Sequence, residues 1–74
     1  MFDKVKEILV DELDVKEEDI TLDAQLVKDL GINSLELADL VLACEDTFGI
    51  TVSDDDIHKF VTVGDIVAFL EAAN

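Results

Sequence analysis

Four features of the sequence contain side chains that could take part in chemistry: one cysteine, one histidine, a run of three aspartates, and a serine that follows a glycine turn. Cys44 lies among apolar residues at helical spacing, where a thiol packs as a small hydrophobic group. His58 lies in a short acidic segment with no nucleophile close to it in sequence, so we expect a solvated helix residue. One cysteine and one histidine are too few ligands for a thiolate–imidazole metal site.

The aspartate run, Asp54, Asp55 and Asp56, lacks the alternating ligands, central glycine and terminal glutamate of a calcium-binding loop. We expect no metal site there beyond weak surface binding of divalent ions. The sequence also contains neither a glycine-rich phosphate loop nor the serine turn of a hydrolase. These residues therefore point away from an enzyme.

Ser34 is notable for its position, because it follows the Leu30-Gly31 turn and lies at the predicted first turn of a helix. The free amides and the dipole of a helix N-terminus favour an attached anion such as a phosphodiester. A serine or asparagine at this place is also explained as a simple helix cap, which is the plainer interpretation. The residues by themselves leave both interpretations open.

The first of the elements that must position these side chains is an amphipathic helix, predicted by apolar residues at helical spacing: Phe2, Val5, Ile8, Leu9 and Leu13. The spacing becomes irregular from Asp14 to Asn33, which predicts a long ordered loop. Four apolar residues of this loop are expected to be buried: Leu22, Leu26, Leu30 and Ile32.

Three later helix starts are predicted where a capping side chain precedes an acid by three residues: Asn33 to Glu36, Ser53 to Asp56, and Thr62 to Asp65. They predict a second helix over residues 34–48, a short third over 54–59 and a fourth over 63–72. The predicted fold is all-α, a small four-helix bundle with a long loop between helices 1 and 2 and a short third helix. We expect residues 1–74 to be a single domain.

The balance of charge narrows the range of partners. The chain has 19 acidic residues and five lysines, for a net charge of −14. Such a surface repels nucleic acid and favours basic partners. No apolar run approaches the roughly 20 residues that cross a bilayer, and the amino end lacks the pattern of a secretory signal. We therefore expect a cytoplasmic monomer that neither binds nucleic acid nor inserts into a membrane.

The predicted second helix has apolar residues on two sides. At about 100° per residue, the core side comprises Leu37, Leu40, Val41, Cys44 and Phe48. Leu35 and Leu42 fall roughly opposite, beside Asp39 and Asp46. An apolar centre with an acidic rim is typical of a docking surface, but single surface leucines are also common. Geometry leaves both interpretations open.

The segment Asp-Leu-Gly-Ile-Asn-Ser-Leu-Glu, residues 29–36, resembles the serine motif of acyl carrier proteins, and residues 37–48 resemble the helix that follows it. The resemblance extends over essentially the whole chain. It implies that a phosphopantetheinyl transferase attaches 4′-phosphopantetheine from coenzyme A to Ser34. The thiol of this arm would hold acyl intermediates as thioesters for enzymes of fatty acid or related acyl-chain (polyketide or lipid) biosynthesis, with no catalysis by the carrier itself.

The resemblance also assigns two sets of binding residues. Those that match the family's docking surface, which meets basic patches on acyl-transferring and chain-elongating enzymes, are Leu35, Glu36, Ala38, Asp39, Leu42, Glu45 and Asp46. Those expected to line the family's apolar acyl pocket are Leu40, Cys44, Phe48, Ile57 and Val63.

The chain departs from the family pattern at three positions. Asn33 replaces the acid that usually precedes the serine, Ser53 replaces a frequent proline, and Thr47 is neutral where many members have an acid. A carrier of aminoacyl or peptidyl cargo is one alternative within the same fold. The other is an unmodified acidic interaction module in which Ser34 is only a cap, an option that Asn33 keeps open.

Overall fold

A computed structural model describes residues 1–73, which form four α-helices: α1 (Phe2–Leu13), α2 (Ser34–Phe48), α3 (Asp54–Ile57) and α4 (Val63–Ala73). The long loop between α1 and α2 contains one 3₁₀ turn, Glu17–Asp19. Both α2 and α4 pack against α1. The predicted all-α architecture, with its long first loop and short third helix, is confirmed. None of the helices within residues 1–73 has the length and apolar character needed to cross a membrane.

The hydrophobic core draws on α1, α2, α4 and the long loop. Its buried members are Val5, Ile8, Leu9, Ile20, Ala24, Leu26, Ile32, Leu40, Cys44, Val63, Ile66, Val67 and Leu70. Burying one large aliphatic side chain contributes about 1.5–3 kcal/mol. The loop residues in this set show that the connection between α1 and α2 is part of the core and has a fixed path.

Leu22 is a correction to the expected core, because its side chain is 49% exposed. Its backbone is what the fold uses: the Gly64 N–H donates to the Leu22 carbonyl oxygen at 2.9 Å. A Cβ atom on Gly64 would lie 2.9 Å from that same oxygen, so glycine permits the loop to approach α4 this closely. Of the other three loop residues, Leu26 and Ile32 are buried as predicted and Leu30 is half-buried.

The third helix is shorter than the predicted range of 54–59. After Ile57 the chain tightens, because the Lys59 N–H donates to the Asp56 carbonyl at 3.1 Å and the Phe60 N–H donates to the Ile57 carbonyl at 3.1 Å. These bonds span three residues instead of four and end the α-helix. They turn Phe60 toward the core, where its ring meets that of Phe69 edge-on with centroids 5.5 Å apart.

Candidate functional site at the start of α2

The start of α2 is capped by Asn33 and not by Ser34. The Asn33 side-chain oxygen accepts the Glu36 N–H at 2.9 Å, and the Glu36 carboxylate accepts the Asn33 N–H at 3.1 Å. This reciprocal pair is a complete capping box. The cap predicted from the spacing of Asn33 and Glu36 is therefore confirmed, Ser34 is not the cap, and its hydroxyl is not needed for helix formation.

Ser34 is the first residue of the 15-residue helix α2, and it is exposed. Its hydroxyl makes no hydrogen bond to any residue of the described range 1–73. The helix dipole places partial positive charge at this end, where anions are stabilised. An accessible primary hydroxyl at such a position fits a prosthetic group that is attached through a phosphodiester.

The backbone just before Ser34 is held firmly. Ile32 is 2% exposed, and its N–H donates to the Leu26 carbonyl at 2.9 Å. Gly31 adopts the left-handed conformation, with φ 69°, and its N–H donates to the Val27 carbonyl at 3.1 Å. The exposed serine therefore follows directly after a buried anchor.

Asp29 has a structural role in this turn that the sequence analysis missed. Its carboxylate accepts the Gln25 N–H at 2.7 Å, while its own N–H donates to the Gln25 carbonyl at 2.9 Å. The signal was an acid four residues after a polar residue, a spacing typical of a turn closed by its own side chain. The motif aspartate thus closes the turn that leads to Ser34.

The outward face of α2 is defined here as the residues that matched the docking surface. Leu35 is 80% exposed and Leu42 is 59% exposed, while Ala38, Asp39 and Asp46 are exposed as well. An apolar centre with carboxylates beside it is therefore present on the surface.

The two glutamates of the outward face, Glu36 and Glu45, accept hydrogen bonds from backbone N–H groups of the fold. Both are half-buried. Glu36 belongs to the capping box, and the Glu45 carboxylate accepts the Val52 N–H at 2.8 Å. Glu45 thus fixes the segment that leads to α3, and it offers less free charge to a partner than the exposed aspartates do.

A small apolar cavity of about 10 Å³ lies between α2, α4 and the segment around α3. It is lined by Leu40, Val41, Cys44, Val52, Phe60, Ile66, Phe69 and Leu70. Of the five residues expected to line an acyl pocket, Leu40 and Cys44 border this cavity. Phe48 and Ile57 are half-buried elsewhere, and Val63 is buried in the core outside this cavity.

Cys44 is 3% exposed, and burial raises the pKa of its thiol to about 11. The thiol is therefore neutral at physiological pH and inaccessible to reagents. His58 is exposed at the end of α3. Neither residue has the surroundings of a nucleophile or of a general base.

One residue of the acidic run at the start of α3, Asp56, caps this helix together with Ser53. The Asp56 carboxylate accepts the Ser53 hydroxyl at 2.9 Å, and the Ser53 oxygen accepts the Asp56 N–H at 3.2 Å. Within residues 1–73, no group of three or more His, Cys, Asp or Glu side chains is arranged to hold a metal ion. Asp54 and Asp55 are exposed and do not converge with Asp56 on such a site.

The comparison with known proteins agrees with the geometry of this site. The sequence pattern of the family described as "Phosphopantetheine attachment site" matches residues 3–70. The acyl carrier protein of Thermotoga maritima is 48% identical over 71 residues, which are 96% of this chain and 88% of that protein. The acyl carrier protein of Petrotoga mobilis is 49% identical over 70 residues, covering 95% of this chain and 82% of that protein. That of Clostridium perfringens is 41% identical over 95% of this chain and 92% of that protein.

The family match covers α2 and α3 completely and nearly all of α1 and α4, so it includes the exposed serine, its capped helix and the acidic outward face. The chain belongs to the family of acyl carrier proteins, whose domain is the phosphopantetheine attachment domain.

Proposed function

We propose that the chain carries acyl groups on a 4′-phosphopantetheine arm attached to Ser34 and delivers them to partner enzymes of fatty acid or related acyl-chain biosynthesis. The observation that carries the proposal is the exposed Ser34 hydroxyl at the first position of a long helix that Asn33 already caps. In the acyl carrier role the chain needs no catalytic group of its own, and we propose that residues 1–74 act as one carrier domain in the cytoplasm.

Attachment of the arm uses the Ser34 oxygen as the nucleophile. The oxygen attacks the diphosphate of coenzyme A, so that a serine–phosphorus bond forms and the bond to the adenosine 3′,5′-bisphosphate half breaks. The hydroxyl proton leaves to a base on the transferase. The helix N-terminus then stabilises the phosphodiester charge. When bound, the arm supplies a terminal thiol that forms thioesters with acyl groups.

The outward face of α2 is the proposed surface for the transferase and for acyl-transferring and elongating enzymes. Leu35 lies directly beside Ser34, and Leu42 lies two helical turns further on. Exposed apolar anchors with an acidic rim suit a partner that has an apolar pocket surrounded by basic residues. Asp39 and Asp46 supply the exposed charge, while Glu36 and Glu45 contribute less because the fold engages them.

The cavity beside Cys44 is the proposed place for the start of a bound acyl chain. Its volume of about 10 Å³ has room for roughly one water molecule. Any chain longer than a methyl group therefore requires Phe60, Phe69 or α3 to move. The fully apolar lining suits a hydrocarbon and disfavours a charged aminoacyl group.

Intact-mass measurement tests the proposed attachment. Incubation with coenzyme A and a broad-specificity phosphopantetheinyl transferase should add one phosphopantetheine to the wild-type protein and none to Ser34→Ala. The matched control is Ser53→Ala, which changes the other serine at a helix start and should still be fully modified. Modification of Ser34→Ala, or no modification of a folded wild-type protein, would contradict the assignment.

A further inference from the structure

A continuous series of hydrogen bonds joins the start of α4 to the backbone before Ser34. The Asp65 carboxylate accepts the Val61 N–H at 3.0 Å. The Val61 carbonyl accepts the Leu26 N–H at 2.9 Å, and the Leu26 carbonyl accepts the Ile32 N–H at 2.9 Å. Ile32 is separated from Ser34 by the capping residue alone.

This series of hydrogen bonds can transmit a displacement of the backbone, but not a change in charge. The Leu26 N–H and the Leu26 carbonyl belong to two different peptide groups. One hydrogen bond therefore does not polarise the next, and Leu26 connects the two bonds only by its position. Its side chain is 1% exposed and that of Ile32 is 2% exposed, so neither residue can shift without disturbing the core. We therefore expect a displacement of Val61 to strain its bond to Leu26 and, through Leu26, the bond to Ile32.

Asp65 controls the position of Val61 through its carboxylate. Besides the Val61 N–H, this carboxylate accepts the Thr62 N–H at 3.0 Å, and the Asp65 N–H donates to the Thr62 hydroxyl at 3.2 Å. The Thr62 pair is an ordinary capping box. The additional bond to Val61 is not part of the box, and the Val61 carbonyl in turn accepts the Leu26 N–H from the loop that precedes α2.

We propose that Asp65 is a positioning residue for Ser34: it holds Val61, and through Leu26 and Ile32 it fixes the orientation in which Ser34 is presented to the transferase. The inference rests on the proposed function of Ser34 as the attachment residue. It also couples the segment between α3 and α4, which borders the apolar cavity at Phe60, to the site where the arm is attached.

The test measures arm attachment under conditions in which every variant is folded. In this assay the carrier is the substrate, so a partly unfolded variant raises the apparent KM because less competent substrate is present. A misplaced hydroxyl instead lowers kcat, because the complex forms but is not productive. We expect Asp65→Ala to lower kcat about tenfold with little change in KM. A misplacement of about 1 Å costs on the order of 10²-fold, and the loss of one bond at the far end of the series should shift Ser34 by less than that.

Two further variants separate positioning from helix capping. Thr62→Ala removes the hydroxyl of the capping box but leaves the bond between Asp65 and Val61, so its kcat should match the wild-type value. Asp65→Asn keeps a side-chain oxygen that can accept the Val61 N–H, and it should recover most of the loss in kcat. The amide NMR signals of Ile32 and Ser34 should shift in Asp65→Ala and keep their positions in Thr62→Ala.

The outcomes distinguish this proposal from the attachment itself. A wild-type kcat for Asp65→Ala, or an equal fall in kcat for Thr62→Ala, would overturn the positioning role. A folded wild-type protein that accepts no arm would overturn the proposed function instead. The NMR comparison would then still decide the coupling, and unshifted signals of Ile32 and Ser34 in Asp65→Ala would refute it.

Discussion

Helix α2 has leucines on both of its faces, and those on one face are buried or half-buried while those on the other are exposed to water. Leu40 is fully buried in the hydrophobic core, whereas Leu35 is 80% exposed next to the candidate attachment serine. Both lie on the same helix, which begins at a complete capping box and ends at Gly49 in the left-handed conformation. Helix propensity and side-chain type are therefore equal at the two positions, and only the surroundings differ.

The comparison shows that the fold buries the leucines of only one face of α2. The inner face contributes burial energy that holds α2 on the core. The outward leucines, Leu35 and Leu42, contribute almost nothing to folding, because they remain in water. An exposed apolar pair that the fold does not use is free to serve binding. Substitutions on the two faces should therefore separate stability from transfer.

The largest expected effect is on stability, from truncating the inner leucine. Leu40→Ala should lower the free energy of unfolding by about 2–5 kcal/mol, since it removes buried methyl groups and leaves a cavity. The matched change Leu35→Ala should alter it by no more than about 0.5 kcal/mol. Urea unfolding of both variants checks the pair. Equal losses would mean that the two faces do not differ as the structure indicates.

The next effect is on transfer, from the outward face. Leu42→Ser should lower kcat/KM for arm attachment by about five- to thirtyfold, equivalent to about 1–2 kcal/mol for an interface anchor. Its thermal stability should remain near that of wild type. Leu22→Ser is the control, because Leu22 is another exposed leucine, at 49% against 59%, but lies in the loop. A similar loss of transfer in both variants would indicate general surface hydrophobicity and not a docking site.

The parts of the fold that sequence could predict are those encoded by local contacts. The start of α2 followed from Asn33 and Glu36, which lie three residues apart and bond each other. The same locality identified Leu35 and Leu42 as outward, because helical phase alone fixes a side of the helix once the core side is known.

The errors concern contacts between distant segments. Leu22 has the character of a core residue, but the loop uses its carbonyl to reach Gly64, which no pattern near residue 22 reveals. The small cavity beside Cys44 is also lined by Phe60 and Phe69, which the sequence did not suggest, because their meeting depends on the tight turn after α3. The bond from the Val52 N–H to the Glu45 carboxylate was likewise not foreseen, because Val52 lies beyond the end of the helix.

The smallest expected effect concerns the charge beside the outward leucines. Asp39 is exposed on α2, and Glu71 is exposed on α4. Changing either residue to lysine moves the net charge from −14 to about −12, and attraction to a basic partner acts mainly on the association rate. If position matters, Asp39→Lys should slow association with the transferase about three- to tenfold at low salt, a range consistent with losing roughly 1 kcal/mol of local attraction.

Glu71→Lys should slow association by less, because it changes the overall charge without touching the outward face. Stopped-flow association at two salt concentrations separates the two cases, since the Debye length falls from roughly 30 Å at 0.01 M to about 10 Å at 0.1 M. The difference between the variants should shrink as salt rises, while a difference that persists would point to a direct contact of Asp39. Equal slowing by Asp39→Lys and Glu71→Lys at every salt concentration would reduce the acidic rim to a general effect of net charge. The leucines would then be the sole specific feature of this surface.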